Sequence, residues 1–172
     1  MIETARLRLR RFGEQEAEEP GFILQLLNEP LFVRHIGDRG VRSIEAASAY
    51  IAMGPVASYA RHGLGLLRLE LCETGESIGV CGLVKREGLE HPDLGYALLP
   101  AYRGQGFAAE AAAAVLAHAR DVLELQCVLA ITGPDNLASI TLLSRLGFSC
   151  EGTTRLDPDG PDLKLYAWRP NR

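Results

Sequence analysis

Leu7 and Leu9 alternate with Arg6, Arg8 and Arg10, the two-residue period of a strand with one face buried. From Glu14 to Asn28 the chain turns from acidic to apolar through Phe22, Ile23, Leu24, Leu26 and Leu27, which predicts a helix interrupted near Pro20-Gly21. Ser43 stands where it caps a second helix carrying Ala46, Ala47, Tyr50 and Ile51 toward Tyr59. The period then shortens. Leu64 to Leu71 and Ile78 to Val84 are apolar runs either side of Glu73-Thr74-Gly75-Glu76, a hairpin pattern. His91 to Leu99 predicts a further strand with Leu94, Tyr96 and Leu98 on one face. Phe107, Ala111, Val115 and Ala119 form one stripe of a helix over Gly106 to Arg120. Gln126 to Thr132 predicts a buried strand, and Asn136 opens a helix that stops at Gly147. Cys150 to Arg155 and Leu163 to Trp168 close the chain as strands around the turn-rich segment Asp157 to Pro161.

The order β-α-α-β-β-β-α-β-α-β-β predicts an α/β (α+β) domain, with four helices around a mixed, mainly antiparallel sheet of about seven strands. No repeat or Pro/Gly/Ser-rich linker divides residues 1–172, so they read as one domain. The hydrophobic share of 47% and charged share of 23% are those of a globular protein. A net charge of −4 argues against a nucleic-acid partner, since phosphate backbones are held by excess Lys and Arg. No window carries eighteen consecutive apolar residues and the opening residues lack a signal peptide's apolar region, so the expectation is a cytoplasmic protein with no membrane partner. Cys72, Cys81, Cys127 and Cys150 are far apart and, with three in strand-like runs, read as buried free thiols. His35, His62, His91 and His118 show no metal-ligand spacing, and no metal is expected.

The segment that carries chemistry is Pro100-Ala101-Tyr102-Arg103-Gly104-Gln105-Gly106-Phe107-Ala108-Ala109-Glu110, between a strand and a helix. Gly104 and Gly106 allow the backbone to come close to a ligand. The first N–H groups of a helix have no partner within it and, with the helix dipole, make an anion site that a pyrophosphate fits. A turn that merely reverses the chain is the bland alternative. A dinucleotide fingerprint fits worse, because no second βαβ unit with a terminal acid follows, and a Walker loop is excluded by the lack of Gly-Lys-Ser/Thr.

Arg103-x-x-Gly106-x-Ala108 resembles the R/Q-x-x-G-x-G/A signature of the GNAT N-acetyltransferase superfamily. The longer run from Leu94 to Ala108, and the opening Glu3 to Arg10, look like the branch containing the ribosomal-protein N-terminal acetyltransferases. A second motif, Asn136-x-x-Ser139-x-x-Leu142-x-x-x-x-Gly147-Phe148, resembles the family's Asn-headed helix. The resemblance implies a sheet with a splayed central pair and acetyl-CoA as cosubstrate. It implies that N–H groups of Gly104, Gln105, Gly106, Phe107 and Ala108, with Arg103 heading the signature, bind the pyrophosphate. It also implies that Ala97 and Leu98 hold the pantetheine arm as an added strand would, that an N–H near Leu98 faces the thioester carbonyl, and that Asn136 contacts pantetheine. Read alone, Asn136 is an N-cap and Ser139 a solvated or back-bonded helix serine.

Many relatives place a tyrosine general acid in the Asn-headed helix, where this chain has Leu143. Ser139, one turn from Asn136, is then the candidate to hydrogen-bond the departing sulfur. Asp93 is a weaker candidate base; it and Glu90 also read as solvated turn carboxylates, with Tyr96 and His35 as further pocket candidates. The run Glu14, Glu16, Glu18 and Glu19 reads as a solvated helix face that could also attract a basic acceptor. The expected activity is acetyl transfer to a primary amine, either a protein N-terminus or a small molecule. A non-catalytic CoA-binding sensor or subunit is the alternative, and a homodimer is the family-level expectation.

Overall fold

The structure, a computed structural model, describes residues 1–13 and 18–170. Among them eight strands form one sheet in the order β1-β2-β3-β4-β5-β6-β8-β7. β1 (Ile2–Glu3), which the sequence pattern did not reveal, folds back on β2 (Leu7–Arg10), with Ile2 opposite Leu9. Leu7 and Leu9 are fully buried, as their alternation requires. β3 (Leu66–Leu71) and β4 (Ser77–Val84) make the expected hairpin, and β5 (Asp93–Leu98) continues the antiparallel run beside β4. β6 (Val128–Thr132) lies parallel to β5, and β7 (Ser149–Thr154) and β8 (Leu163–Trp168) complete the sheet antiparallel.

Helices cover both faces. α1 (Glu19–Leu27), α2 (Pro30–His35), α3 (Ile44–Ile51) and α4 (Ala57–His62) precede β3, the last two joined by a π-helical turn over Ala52–Val56 that contains Pro55. Phe22, Ile23, Leu26, Phe32, Ala47 and Ile51 from these helices pack on Val80 and Leu99. α5 (Phe107–Asp121) and α6 (Leu137–Arg145) take the opposite face, where Phe107, Ala111, Val115 and Ala119 are all buried against the sheet. Ser43 caps α3 as expected, its Oγ accepting from the Ala46 N–H at 3.1 Å.

The first helix departs from expectation. Pro20 does not interrupt it but sits in its first turn, where the missing N–H costs nothing. Residues 14–17, where the predicted helix begins and two of the four clustered glutamates fall, lie outside the described residues. Glu19 is no part of a solvated face: it is 4% exposed, accepts from the Gly13 N–H at 2.9 Å and lies 3.6 Å from the Arg68 guanidinium, which also bonds the buried Glu70. This ionic cluster fixes the start of α1 to β3. α2 was not anticipated, because a six-residue helix shows too little of a period. Cys81 and Cys127 are buried as expected, whereas Cys72 is half-buried and Cys150 is exposed on an outer strand. Among the described residues no helix is long and apolar enough to cross a membrane.

The feature that positions the site is the junction of β5 and β6. These strands register at a single pair, Asp93 with Leu129, supported by the Leu129 N–H donating to Pro92 at 2.9 Å. Beyond that pair they diverge, opening a wedge toward Leu98 and Thr132. α5 and α6, which follow these two strands, begin at the open end.

Candidate active site

Gly104 and Gly106 have φ values of 72° and 84°, the left-handed region that glycine alone enters without strain. They turn the chain sharply after a 3₁₀ turn at Pro100–Tyr102 and deliver it into α5, with Gly106 as N-cap. The Glu110 N–H bonds the Gly106 carbonyl at 3.0 Å, so the N–H groups of Phe107, Ala108 and Ala109 lie in the unpaired first turn. No heavy atom lies within 4 Å of a Cβ built on Gly104, so open space fronts the turn. A diphosphate fits such a cradle of amides at the positive end of a fifteen-residue helix.

Arg6, which the sequence pattern did not mark as a site residue, braces this turn from β1's side. Its Nη1 donates to the Gln105 carbonyl at 3.0 Å, its Nε to Glu110 at 2.6 Å, and its guanidinium lies 4.3 Å from the Phe107 ring centre. Glu110 also accepts from Thr4 Oγ1 at 2.6 Å and from the Arg6 N–H at 2.9 Å. Burial pushes the Glu110 carboxyl up, but these hydrogen bonds and the Arg6 charge outweigh it and hold it below the ordinary carboxylate range. The likeness of the opening Thr4–Arg6 segment to one family branch was the only signal of this bracket.

Arg103 faces the other way. Its Nε donates to the Leu98 carbonyl at 3.1 Å and its Nη2 to Glu29, which also caps α2 by accepting from the Leu31 N–H at 3.0 Å. The guanidinium thus ties the end of β5 to α2. Arg34, on α2, reaches Asp135 before α6 at 3.3 Å, so α2 is tied to both sides of the wedge.

The backbone of β5 alternates between its two neighbours. The Leu99 N–H donates to Ile78 at 2.9 Å, and in an antiparallel ladder such pairs recur at every second residue. Ala97, opposite Val80, therefore turns its main-chain groups to β4, whereas Leu98 and Tyr96 turn theirs into the wedge. Of the two residues the resemblance singles out on this strand, Leu98 faces the wedge and Ala97 faces β4, because a strand's groups point to alternate sides.

On the α5–α6 face, Tyr96 Oη and Ser139 Oγ are 2.7 Å apart, uniting two residues the sequence had singled out separately. Burial pushes the Tyr96 phenol up to about 12, with the Ser139 contact working against the rise. Asn136 is the N-cap of α6, its Oδ1 accepting from the Ser139 N–H at 3.2 Å. Leu143 is 1% exposed and belongs to the core.

Asp93 is not brought to this pair, and it is not a solvated turn carboxylate. It is 1% exposed, at the closed end of the wedge, on the sheet face opposite Tyr96, and it accepts from Arg86 Nε at 2.8 Å. Five strand residues at about 3.3 Å each put it roughly 16 Å from Leu98. Burial raises its carboxyl above the ordinary range despite the Arg86 charge. Glu90 is exposed, as its reading as a turn residue requires, and His35 lies half-buried at the end of α2. Among the described residues no three His, Cys, Asp or Glu side chains group to hold a metal.

The GNAT acetyltransferase domain family matches residues 6–149, which takes in the turn, the β5–β6 wedge and both site helices. The chain is 29% identical over 157 residues to the uncharacterized N-acetyltransferase YoaA of Bacillus subtilis, covering 90% of this chain and 86% of that protein. The crystal structure of an acetyltransferase from Agrobacterium tumefaciens superposes with a TM-score of 0.78 at 27% identity, over 98% of this chain and 94% of that one. RimL, a ribosomal-protein acetyltransferase solved in complex with coenzyme A, shares the fold with a TM-score of 0.72 at 21% identity, over 96% and 95% of the two chains.

Proposed function

Because the chain belongs to the GNAT acetyltransferase family, we propose that it transfers the acetyl group of acetyl-CoA to a primary amine by direct attack in a ternary complex. The observation that carries this reading is the glycine turn before α5, set beside a wedge into which β5 turns the Tyr96 main-chain groups and the Leu98 N–H. The N–H groups of residues 104–108 hold the pyrophosphate, and Tyr96 and Leu98 offer their backbone to the pantetheine arm. RimL, a fold neighbour, binds coenzyme A. Acetyl-CoA supplies an activated carbonyl and a thiol leaving group. The Leu98 N–H donates to the carbonyl oxygen as negative charge develops there, an arrangement worth several kcal/mol in comparable sites, roughly 2.7–4 for a single donor. Ser139 donates a hydrogen bond to the departing sulfur, and Asn136 orients the start of α6 while contacting pantetheine. The attacking amine loses its proton to water. Much of the acceleration comes from holding amine and thioester together.

The acceptor side lies under α2, which the Arg103–Glu29 and Arg34–Asp135 pairs fix across the wedge. The acceptor is a protein N-terminus or a small amine; the fold neighbours include both a ribosomal-protein acetyltransferase and a spermidine N-acetyltransferase. The free cysteines accord with a reducing, cytoplasmic setting.

A second reading has one specific observation behind it. The core leucine at position 143 replaces the acid many relatives carry, which a non-catalytic CoA-binding module would tolerate. Thiol release from acetyl-CoA across N-terminal peptides, polyamines, aminoglycosides and amino acids separates the two. Catalysis requires at least one amine to raise release well above the amine-free rate. Tight CoA binding with no amine-dependent release would leave the binding module.

A further inference from the structure

We infer that Tyr96 is a positioning residue for the Ser139 hydroxyl, fixing its oxygen and leaving its proton free to point at the leaving sulfur. This rests on the acetyl-transfer reading above and adds a residue to it. The two oxygens are 2.7 Å apart, joining β5 to α6 across 43 residues. A hydroxyl has one proton and two acceptor sites, so the direction of the shared bond decides what each group can do elsewhere. Either oxygen can donate in this geometry. The phenol is the more acidic O–H and therefore the better donor toward a serine oxygen. Burial, which raises its pKa, keeps that proton in place throughout the physiological range.

With Tyr96 donating, Ser139 spends an acceptor site on the bond and keeps its own proton. Donation onto its oxygen also polarises the Ser139 O–H and strengthens it as a donor. Without the phenol, the Ser139 hydroxyl in the first turn of α6 is free to rotate and turn its proton away from the wedge. Tyr96 is well placed for the task because it hangs from the strand whose backbone lines the wedge, so it moves with the groups that hold the thioester. Leu143, one turn beyond Ser139, has no proton to give, so a strand tyrosine acting through serine supplies what the helix lacks.

The step balances without a further reagent. The amine nitrogen forms the C–N bond, the C–S bond breaks with its electron pair on sulfur, and the proton the amine loses is matched by the one the thiolate gains. Ser139 stabilises the sulfur by a hydrogen bond and ends with its proton.

The test uses the full chain, acetyl-CoA and whichever amine the panel selects. Tyr96→Phe should lower kcat about tenfold, less than the roughly 10²–10⁴-fold a full general acid contributes, with the KM for acetyl-CoA and calorimetric CoA affinity within twofold. In a Ser139→Ala background the same change should have no further effect. In the free protein, ¹³Cζ-tyrosine NMR should show the Tyr96 resonance, assigned by its loss in Tyr96→Phe, moving when Ser139 becomes alanine. An unmoved resonance overturns the hydroxyl pair. A kcat that falls in Ser139→Ala but not in Tyr96→Phe, or falls that simply multiply, overturns the positioning role while leaving acetyl transfer intact. The absence of amine-dependent turnover in the parent protein would instead remove the reading beneath it.

Discussion

Glu29 and Arg103 form an ion pair that joins the start of α2 to the end of β5, since the same carboxylate oxygen caps the helix and the same guanidinium grips the Leu98 carbonyl. The Arg103 hydrogen bond is the main reason the Glu29 carboxyl lies below the ordinary range, with burial opposing it. Glu29→Ala removes cap and partner together. A cap alone is worth about 1 kcal/mol, within a range of roughly 0.5–2. We expect a stability loss at or above that figure in urea unfolding, and a higher acceptor KM with little change in CoA affinity, because α2 covers the proposed acceptor side. A loss shared equally by CoA binding would place the pair's influence on the turn instead.

Arg6 and Glu110 brace the proposed pyrophosphate-binding turn from the opposite side. The folded Glu110 pKa lies below the ordinary 4.5, so its contribution to stability is complete above that value and is lost as pH falls through the folded value. Glu110→Gln should therefore destabilise the protein at pH 7 and close the gap to the parent as the pH drops below 4.5, read from melting temperatures. Arg6→Ala should weaken CoA binding through loss of the Gln105 and Phe107 contacts. CoA affinity unchanged in Arg6→Ala would mean the turn holds its shape alone.

The two glycines of the turn allow strain to be separated from ligand contact. Both have positive φ, where an L-residue costs about 1–2 kcal/mol, and asparagine is tolerated better than most. Gly104→Asn should fold with little loss. Gly106→Val should lose stability by about that cost and lose CoA binding as well, since it begins α5 and a Cβ there would come within 3.4 Å of Arg6. Calorimetric CoA titration of a folded Gly106→Val that bound as well as the parent would refute the proposed pyrophosphate cradle.

Much of this was legible in residue order because local period dictates local structure. Leu7–Leu9 alternation and the Phe107–Ala119 stripe each read out one buried face, and both are buried. Pro20 was misread because proline breaks a helix interior yet suits a first turn, and sequence alone did not settle which position it held. The contacts that make the site lie beyond any local pattern: Glu29 and Arg103 are separated by 74 residues, Tyr96 and Ser139 by 43. Tyr96 and Ser139 stand in a recognisable strand and helix, whereas Glu29 heads a helix too short to show a period, and only the register of β4 with β5 and the β5–β6 wedge decides which residues meet. The same register turns the Ala97 main-chain groups to β4 and those of Tyr96 into the wedge, an alternation that period alone leaves ambiguous.

Asp93 tests how far a buried carboxylate's role is structural. Its pKa is raised above the ordinary 3.8, so the folded state binds that proton more tightly than the unfolded chain does. The stability linked to this proton is complete below 3.8 and declines as pH rises through the folded value, leaving Arg86 to support the charged form at neutral pH. Arg86→Ala strands a buried charge and should cost about 3–5 kcal/mol, the usual result of breaking such a pair from one side. Asp93→Asn added to that variant should restore part of the loss, because the stranded charge is gone. In an otherwise unaltered protein Asp93→Asn should retain kcat to within a few fold, since the side chain lies at the closed end of the wedge on the face away from Ser139. A hundredfold fall in kcat with an intact melting temperature would return Asp93 to the role of base, and would require the amine to approach from the face that α2 covers.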